Sequence, residues 1–190
     1  MPDVIICDYM LGPGRTGQQL LEELRRTGRL PDMVSFIMVT AERAYEQVVS
    51  AVELVPDDYI IKPFSPETLR IRMERVILKK VFFRKFYELK AKGSLDEAVM
   101  ELGRLEATPQ ANVYRFEIMR VRAETLTVSG RAEEALHAYE CIVAIHPFPW
   151  AKAGMARAYR ALGRFDEASS AIDDAIAKSS DYFDAYDIKA

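Results

Sequence analysis

Cysteine, histidine and tryptophan are scarce in this 190-residue chain, at two, two and one. Cys7 lies inside an apolar run and Cys141 lies far from it. A structural thiol in a reducing compartment is expected there, not a disulfide framework. His137 and His146 have no partner ligands at metal-site spacing. There is no Ser/His/Asp set, no metal-ligand cluster and no phosphate-cradling Gly-rich loop, so an enzyme is not expected. No apolar run approaches the about 20 residues that span a bilayer, and no signal peptide is present, so a cytoplasmic location is expected. Basic residues are not in excess: 26 Lys and Arg stand against 29 Asp and Glu, a net charge of −3. That balance gives no reason to expect nucleic-acid binding. Glycine and proline are missing between Pro66 and Gly93, which argues for a stiff helical connection or closely abutting helices. What is present, 49% hydrophobic and 29% charged residues, is the composition of a soluble globular protein with room for one or two domains.

The first part alternates short apolar runs with helical stretches. Val4–Cys7, Val34–Val39 and Tyr59–Ile61 are continuous apolar runs, as parallel strands covered on both faces require. Between them, Gly17–Leu24 and Tyr45–Leu54 have helical spacing. Gly28 ends the first helix, with Pro31 at loop distance. Ser65-Pro66-Glu67 starts another helix, whose apolar stripe is Leu69, Met73, Val76 and Ile77. Three polar residues stand at the ends of the runs: Asp8, Thr40 and Lys62. In an open α/β sheet, ligands bind outside the carboxyl ends of the strands. A carboxylate, a hydroxyl and a cation converging there suit a phosphoryl group.

These residues, in this order and spacing, resemble the receiver domain of two-component response regulators over about residues 1 to 79. The resemblance implies a flavodoxin-like parallel α/β sheet with Asp8 as the phospho-accepting nucleophile. It implies that Thr40 is the switch hydroxyl, Tyr59 the switch aromatic, Lys62 the phosphoryl-contacting lysine and Pro63 the proline after a cis bond. Asp8 through Gly17 would be the loop after the phosphorylated strand, in a variant built on Gly12-Pro13-Gly14. Mg2+ would be held by Asp8 and the backbone carbonyl of Met10, and a histidine kinase or phosphotransfer protein would be the phosphodonor. The chain enters the domain at its third strand, and the acidic pair that completes the metal site in the family is absent. Asp3 precedes the strand and falls at its opposite end. An uncovered first strand is expected to drive homodimerisation, with Ile5 at that surface.

The second part, residues 80–190, contains an internal repeat. Gly93-Ser-Leu-Asp-Glu-Ala98 recurs as Gly130-Arg-Ala-Glu-Glu-Ala135 and again as Gly163-Arg-Phe-Asp-Glu-Ala168. The glycines are 37 and 33 positions apart. A period near 34 resembles the tetratricopeptide repeat, two antiparallel helices per unit. The third copy carries Ala156, Tyr159, Ala168, Ile172 and Ala175 at the repeat's offsets. The second carries Ala123, Leu126, Ala135, Tyr139 and Pro147. The first is the least regular, with Phe86 where a small residue is usual. Asp181–Ile188 is expected to start one more helix. The resemblance implies an all-α solenoid of about three repeats, whose first helices line a groove for an unidentified protein or peptide. Candidate lining residues are Tyr114, Glu117, Arg120, Arg122, Lys152, Arg157 and Arg160.

Two further clusters complete the sequence. Lys79, Lys80, Arg84 and Lys85 are expected on a solvated helix face. Phe82, Phe83, Phe86 and Tyr87 are expected in a core between the domains, not on a nucleic-acid platform. The expected function is a signalling adaptor. The alternative is a constitutive interaction scaffold whose receiver part is not phosphorylated.

Overall fold

The computed structural model describes residues 2–41 and 56–178. The helices expected over 45–54 and 181–188 lie outside the described residues. The described residues divide into two compact units, the first ending at Tyr87 and the second starting at Glu88.

The first unit is built on three parallel strands: β1 (Val4–Asp8), β4 (Ser35–Thr40) and β5 (Asp58–Ile61), in the order β1-β4-β5. All six residues of β4 are buried, which explains why its sequence is apolar without alternation. Phe36 and Met38 face one side and pack with Cys7, Leu21, Leu30 and Val34. Ile37 and Val39 face the other and pack with Ile60 and Val76. The first side is covered by helix α1 (Gly17–Arg26) and the second by α2 (Pro66–Phe82).

Helix α1 starts with a capping box: Thr16 accepts from Gln19 N–H, and the Gln19 side chain accepts from Thr16 N–H. Ser65 caps α2 by accepting from Thr68 N–H, with Pro66 in the first turn. Between β1 and α1 the chain makes a small antiparallel hairpin, β2 (Met10–Gly12) with β3 (Arg15–Thr16). The Gly12-Pro13-Gly14 turn predicts a loop there, and the two short strands are an addition made by structure. Gly17 allows α1 to start close to β1, since a Cβ there would sit 2.5 Å from the Asp8 carbonyl oxygen.

Helix α2 stops at Phe82, and α3 (Arg84–Ala91) follows after the single break at Phe83. The connection is therefore two abutting helices. Phe83 and Phe86 are buried, and Phe82, Phe83, Phe86 and Tyr87 make edge and tilted ring contacts.

The second unit continues through α4 (Leu95–Glu106), α5 (Ala111–Val128), α6 (Ala132–Ile145), α7 (Pro149–Ala161) and α8 (Phe165–Lys178). The turns after α3, α5 and α7 are alike. Gly93, Gly130 and Gly163 take φ of 78°, 75° and 73°, the left-handed region that favours glycine. In each turn the residue after the glycine donates back to the helix: Ser94 to Leu89, Arg131 to Leu126, Arg164 to Tyr159. Ala98, Ala135 and Ala168 are all buried five residues after these glycines. The longer interval between the first two glycines is taken up by α5, which has 18 residues against 13 in α7 and a break in helical geometry at Tyr114. Gly154 of α7 lies flat on the buried Tyr139 ring, where a Cβ would fall 2.3 Å from Cε1. Among the described residues no helix is long and apolar enough to cross a membrane.

Candidate functional site

Parallel pairing puts the carboxyl ends of β1, β4 and β5 at one edge of the sheet. Asp8 is opposite Val39, and Thr40 is opposite Ile61. Lys62 N–H donates to the Thr40 carbonyl at 2.7 Å, which brings Lys62 to the same edge. There the Lys62 ammonium forms an ion pair with Asp8 Oδ2. Met10 N–H donates to Asp8 Oδ1 at 3.2 Å. Lys62 and then the Met10 amide hold the Asp8 carboxyl below its usual range. The two side chains remain partly exposed, Asp8 at 41% and Lys62 at 45%. Thr40 is buried at the end of β4. The Lys62–Pro63 bond is cis.

Tyr59, in the middle of β5, packs half-buried against the Phe36 and Met38 side of the core. The structure thus gathers Asp8, Met10, Thr40 and Lys62 at one edge, with Tyr59 three residues before Lys62 on the α1 face.

Mg2+ takes near-octahedral oxygen coordination. The residues offered here are the Asp8 carboxylate and the Met10 carbonyl. Among the described residues no group of three or more His, Cys, Asp or Glu side chains could hold a metal ion. Asp3 sits at the other end of β1, where its carbonyl accepts from Ser35 N–H. The described residues therefore do not by themselves fit a Mg2+ site.

A second polar cluster lies at the opposite edge, and the sequence reading missed it. Asp57 precedes β5 and accepts from Phe36 N–H at 2.8 Å. Around it stand Lys80 at 2.8 Å, Lys79 at 3.6 Å and Arg25 at 3.7 Å. Lys80 also donates to the Asp32 carbonyl at 2.6 Å and lies 5.0 Å from the Tyr87 ring centroid. Burial pushes the Asp57 carboxyl up, but Lys80 and Lys79 outweigh it and hold the group below its usual range. Lys80 is not on a solvated face, as its charge suggested, but buried, whereas Arg84 and Lys85 are exposed. A signal was available: Lys80 continues the stripe Leu69, Met73, Val76 at helical spacing.

The candidate groove residues are distributed unevenly. Tyr114 sits at the break in α5, Glu117 is half-buried, and Arg160 is exposed near the end of α7. Arg120 binds Glu124 at 2.7 Å and lies over the Trp150 ring at 5.2 Å. Arg157 is half-buried in the middle of α7. Lys152, expected to line an open groove, is buried and paired with Asp174 at 2.6 Å. Arg122 pairs with Glu106 of α4 at 2.8 Å. Cys7 is buried and Cys141 exposed, both as free thiols.

Residues 1–74 match the family model described as the response regulator receiver domain. Similar curated proteins include the phosphate regulon transcriptional regulatory protein PhoB of Escherichia coli (strain K12). That protein is 41% identical over 76 residues, which is 40% of this chain and 32% of the relative. The uncharacterized transcriptional regulatory protein YclJ of Bacillus subtilis (strain 168) is 35% identical over 52% of this chain and 38% of its own length. The sensory transduction protein RegX3 of Mycobacterium bovis is 30% identical over 66% of this chain and 48% of its own length. The chain thus spans about a third to a half of the length of these relatives. No solved structure matches it.

Proposed function

We propose that this chain is a signalling adaptor of the two-component type, with a receiver part that accepts a phosphoryl group on Asp8 and a helical part that binds a partner protein. An Asp8 carboxylate oxygen attacks the phosphorus of a phosphorylated histidine on a kinase or phosphotransfer protein. The new P–O bond forms as the P–N bond breaks. Lys62 then pairs with the phosphoryl oxygens, and Thr40 and Tyr59 respond to the modified aspartate. The helices from α3 to α8 form tetratricopeptide-type repeats whose first helices contact the partner. Their action is binding, not catalysis, in the cytoplasm and in a homodimer.

The observation that carries this reading is the Lys62–Asp8 ion pair at the carboxyl edge, with Thr40 beside it. The three glycine turns and the buried alanines that follow them support the repeat assignment. The test is labelling of the intact protein by acetyl phosphate with Mg2+. Labelling that disappears in Asp8→Asn supports the reading, and equal labelling in that variant removes Asp8 from the role.

A constitutive scaffold that is never phosphorylated is the second reading. It is favoured by the incomplete set of metal ligands among the described residues. A titration with Mg2+ that leaves the spectrum of the receiver part unchanged would select it.

A further inference from the structure

One of the two histidines and one of the two thiols meet on α6. Cys141 is the partner ligand that spacing along the sequence did not assign to His137. The two stand four residues apart, which stacks them on one face of a helix. Cys141 Sγ lies 3.8 Å from His137 Nε2. On the other side of the ring, the Glu140 carboxylate lies 4.0 Å from Nδ1. The His137 side chain is 80% exposed, and Cys141 is an exposed free thiol.

Two ligands of one metal ion have this geometry. Zn2+ binds thiolate sulfur at about 2.3 Å and imidazole nitrogen at about 2.0 Å, so tetrahedral ligands of these two kinds stand roughly 3.6 Å apart. The Cys141–His137 separation of 3.8 Å is close to that value without any movement of the helix. A carboxylate beside the far ring nitrogen is the usual companion of a metal-bound histidine. It draws the ring proton to Nδ1 and leaves the Nε2 lone pair facing the sulfur. Thiolate and imidazole select zinc over the hard cations Mg2+ and Ca2+, which take oxygen ligands. Among the described residues no third His, Cys, Asp or Glu completes a set of ligands, so the remaining positions fall to water, as in an open zinc site.

We propose that His137 and Cys141 form a surface binding site for Zn2+. On binding, the Sγ–H bond of Cys141 breaks, the thiolate forms a Zn–S bond, and the proton passes to solvent. His137 Nε2 gives its lone pair to the ion, and Glu140 is a positioning residue that holds the ring. The site lies on α6 and depends neither on Asp8 nor on the partner contact of α5 and α7.

The test titrates the full chain, kept reduced with a phosphine, with Zn2+ by calorimetry and with Co2+ by absorption. Co2+ bound to a thiolate gives a charge-transfer band in the near ultraviolet, which a purely structural Cys141 would not produce. The wild type should bind Zn2+ at micromolar concentration and show the band. Affinity at pH 7.5 should exceed that at pH 6 by about tenfold or more, because both ligands must be free of protons. Cys141→Ser should abolish the band, and His137→Ala should weaken Zn2+ tenfold or more. Glu140→Gln should weaken Zn2+ severalfold while keeping the band. His146→Ala and Asp8→Asn should leave affinity within twofold, and a hundredfold excess of Mg2+ should not compete. His137, Glu140, Cys141 and His146 are all exposed, so these variants should fold, and circular dichroism checks that they do. A band that survives in Cys141→Ser, unchanged affinity in His137→Ala, equal loss in His146→Ala, or no Zn2+ uptake at submillimolar concentration overturns the proposal.

Discussion

Asp8 accepts from Lys62 on one oxygen and from the Met10 amide on the other. Both interactions favour its charged form. Lys62→Ala should therefore raise the Asp8 carboxyl toward its ordinary value, as read by NMR titration of its side-chain carbon. An unchanged titration would mean that the Met10 amide holds the group alone. Asp57 makes a stronger case, because its charge is buried among three cations. Asp57→Asn leaves Lys80 without its carboxylate, and losing one partner of a buried pair costs about 3–5 kcal/mol. The pH dependence follows from the direction of the shift. A carboxyl held low in the fold binds fewer protons than in the unfolded chain, so its contribution is full above about pH 4. It fades as the pH falls through the folded value. Urea melts of wild type and Asp57→Asn should differ most at pH 7 and converge toward pH 3. Asp8 and Lys62 could be named from sequence because each ends an apolar run. Asp57 could not, because nothing along the chain shows that Arg25, Lys79 and Lys80 will meet it. That meeting is made by packing α1 and α2 on opposite faces of one sheet.

Helix and strand positions were legible because each is set by local chemistry. Thr16, Ser65 and the three left-handed glycines mark ends, and the apolar runs mark β1, β4 and β5 to within about a residue or two. The β2–β3 hairpin escaped notice because three- and two-residue strands have no periodicity to detect. Gly154 was equally silent in the sequence, and its role depends on Tyr139 lying across the neighbouring helix. Gly154→Ala should lower stability despite alanine's better helix propensity. The new methyl must displace a ring that is buried and bonded to Thr127, at a cost of about 1–3 kcal/mol. Ala168→Leu should cost a similar amount, since Ala168 is buried where α7 and α8 meet. Met100→Gln, on an exposed face of α4, should stay within about 0.5 kcal/mol. Thermal melts of the three variants that coincide would contradict the packing of both hairpins.

At the scale of the whole molecule, the feature that matters is the side of β1 away from β4. Among the described residues this strand pairs with β4 and with no other strand. An edge strand in a parallel sheet leaves alternate amides and carbonyls without ladder partners. Ile5 turns inward and packs on the α1 side of the core, so it is not the exposed residue the sequence suggested. Ile6 is the exposed one, at 45%, and Met10 and Leu11 of the neighbouring hairpin are exposed at 65% and 48%. An apolar edge of this kind templates pairing with a second copy, and a two-fold arrangement satisfies both edges at once. The chain should therefore run as a dimer at tens of micromolar in light scattering coupled to gel filtration. Ile6→Lys places a charge on the edge and should return it to a monomer. Asp166→Lys, in the second unit, should not. A wild-type monomer across the micromolar range would show that the β1 edge is not used for self-association. A dimer that survives Ile6→Lys but is lost in Asp166→Lys would move the interface to the helical unit.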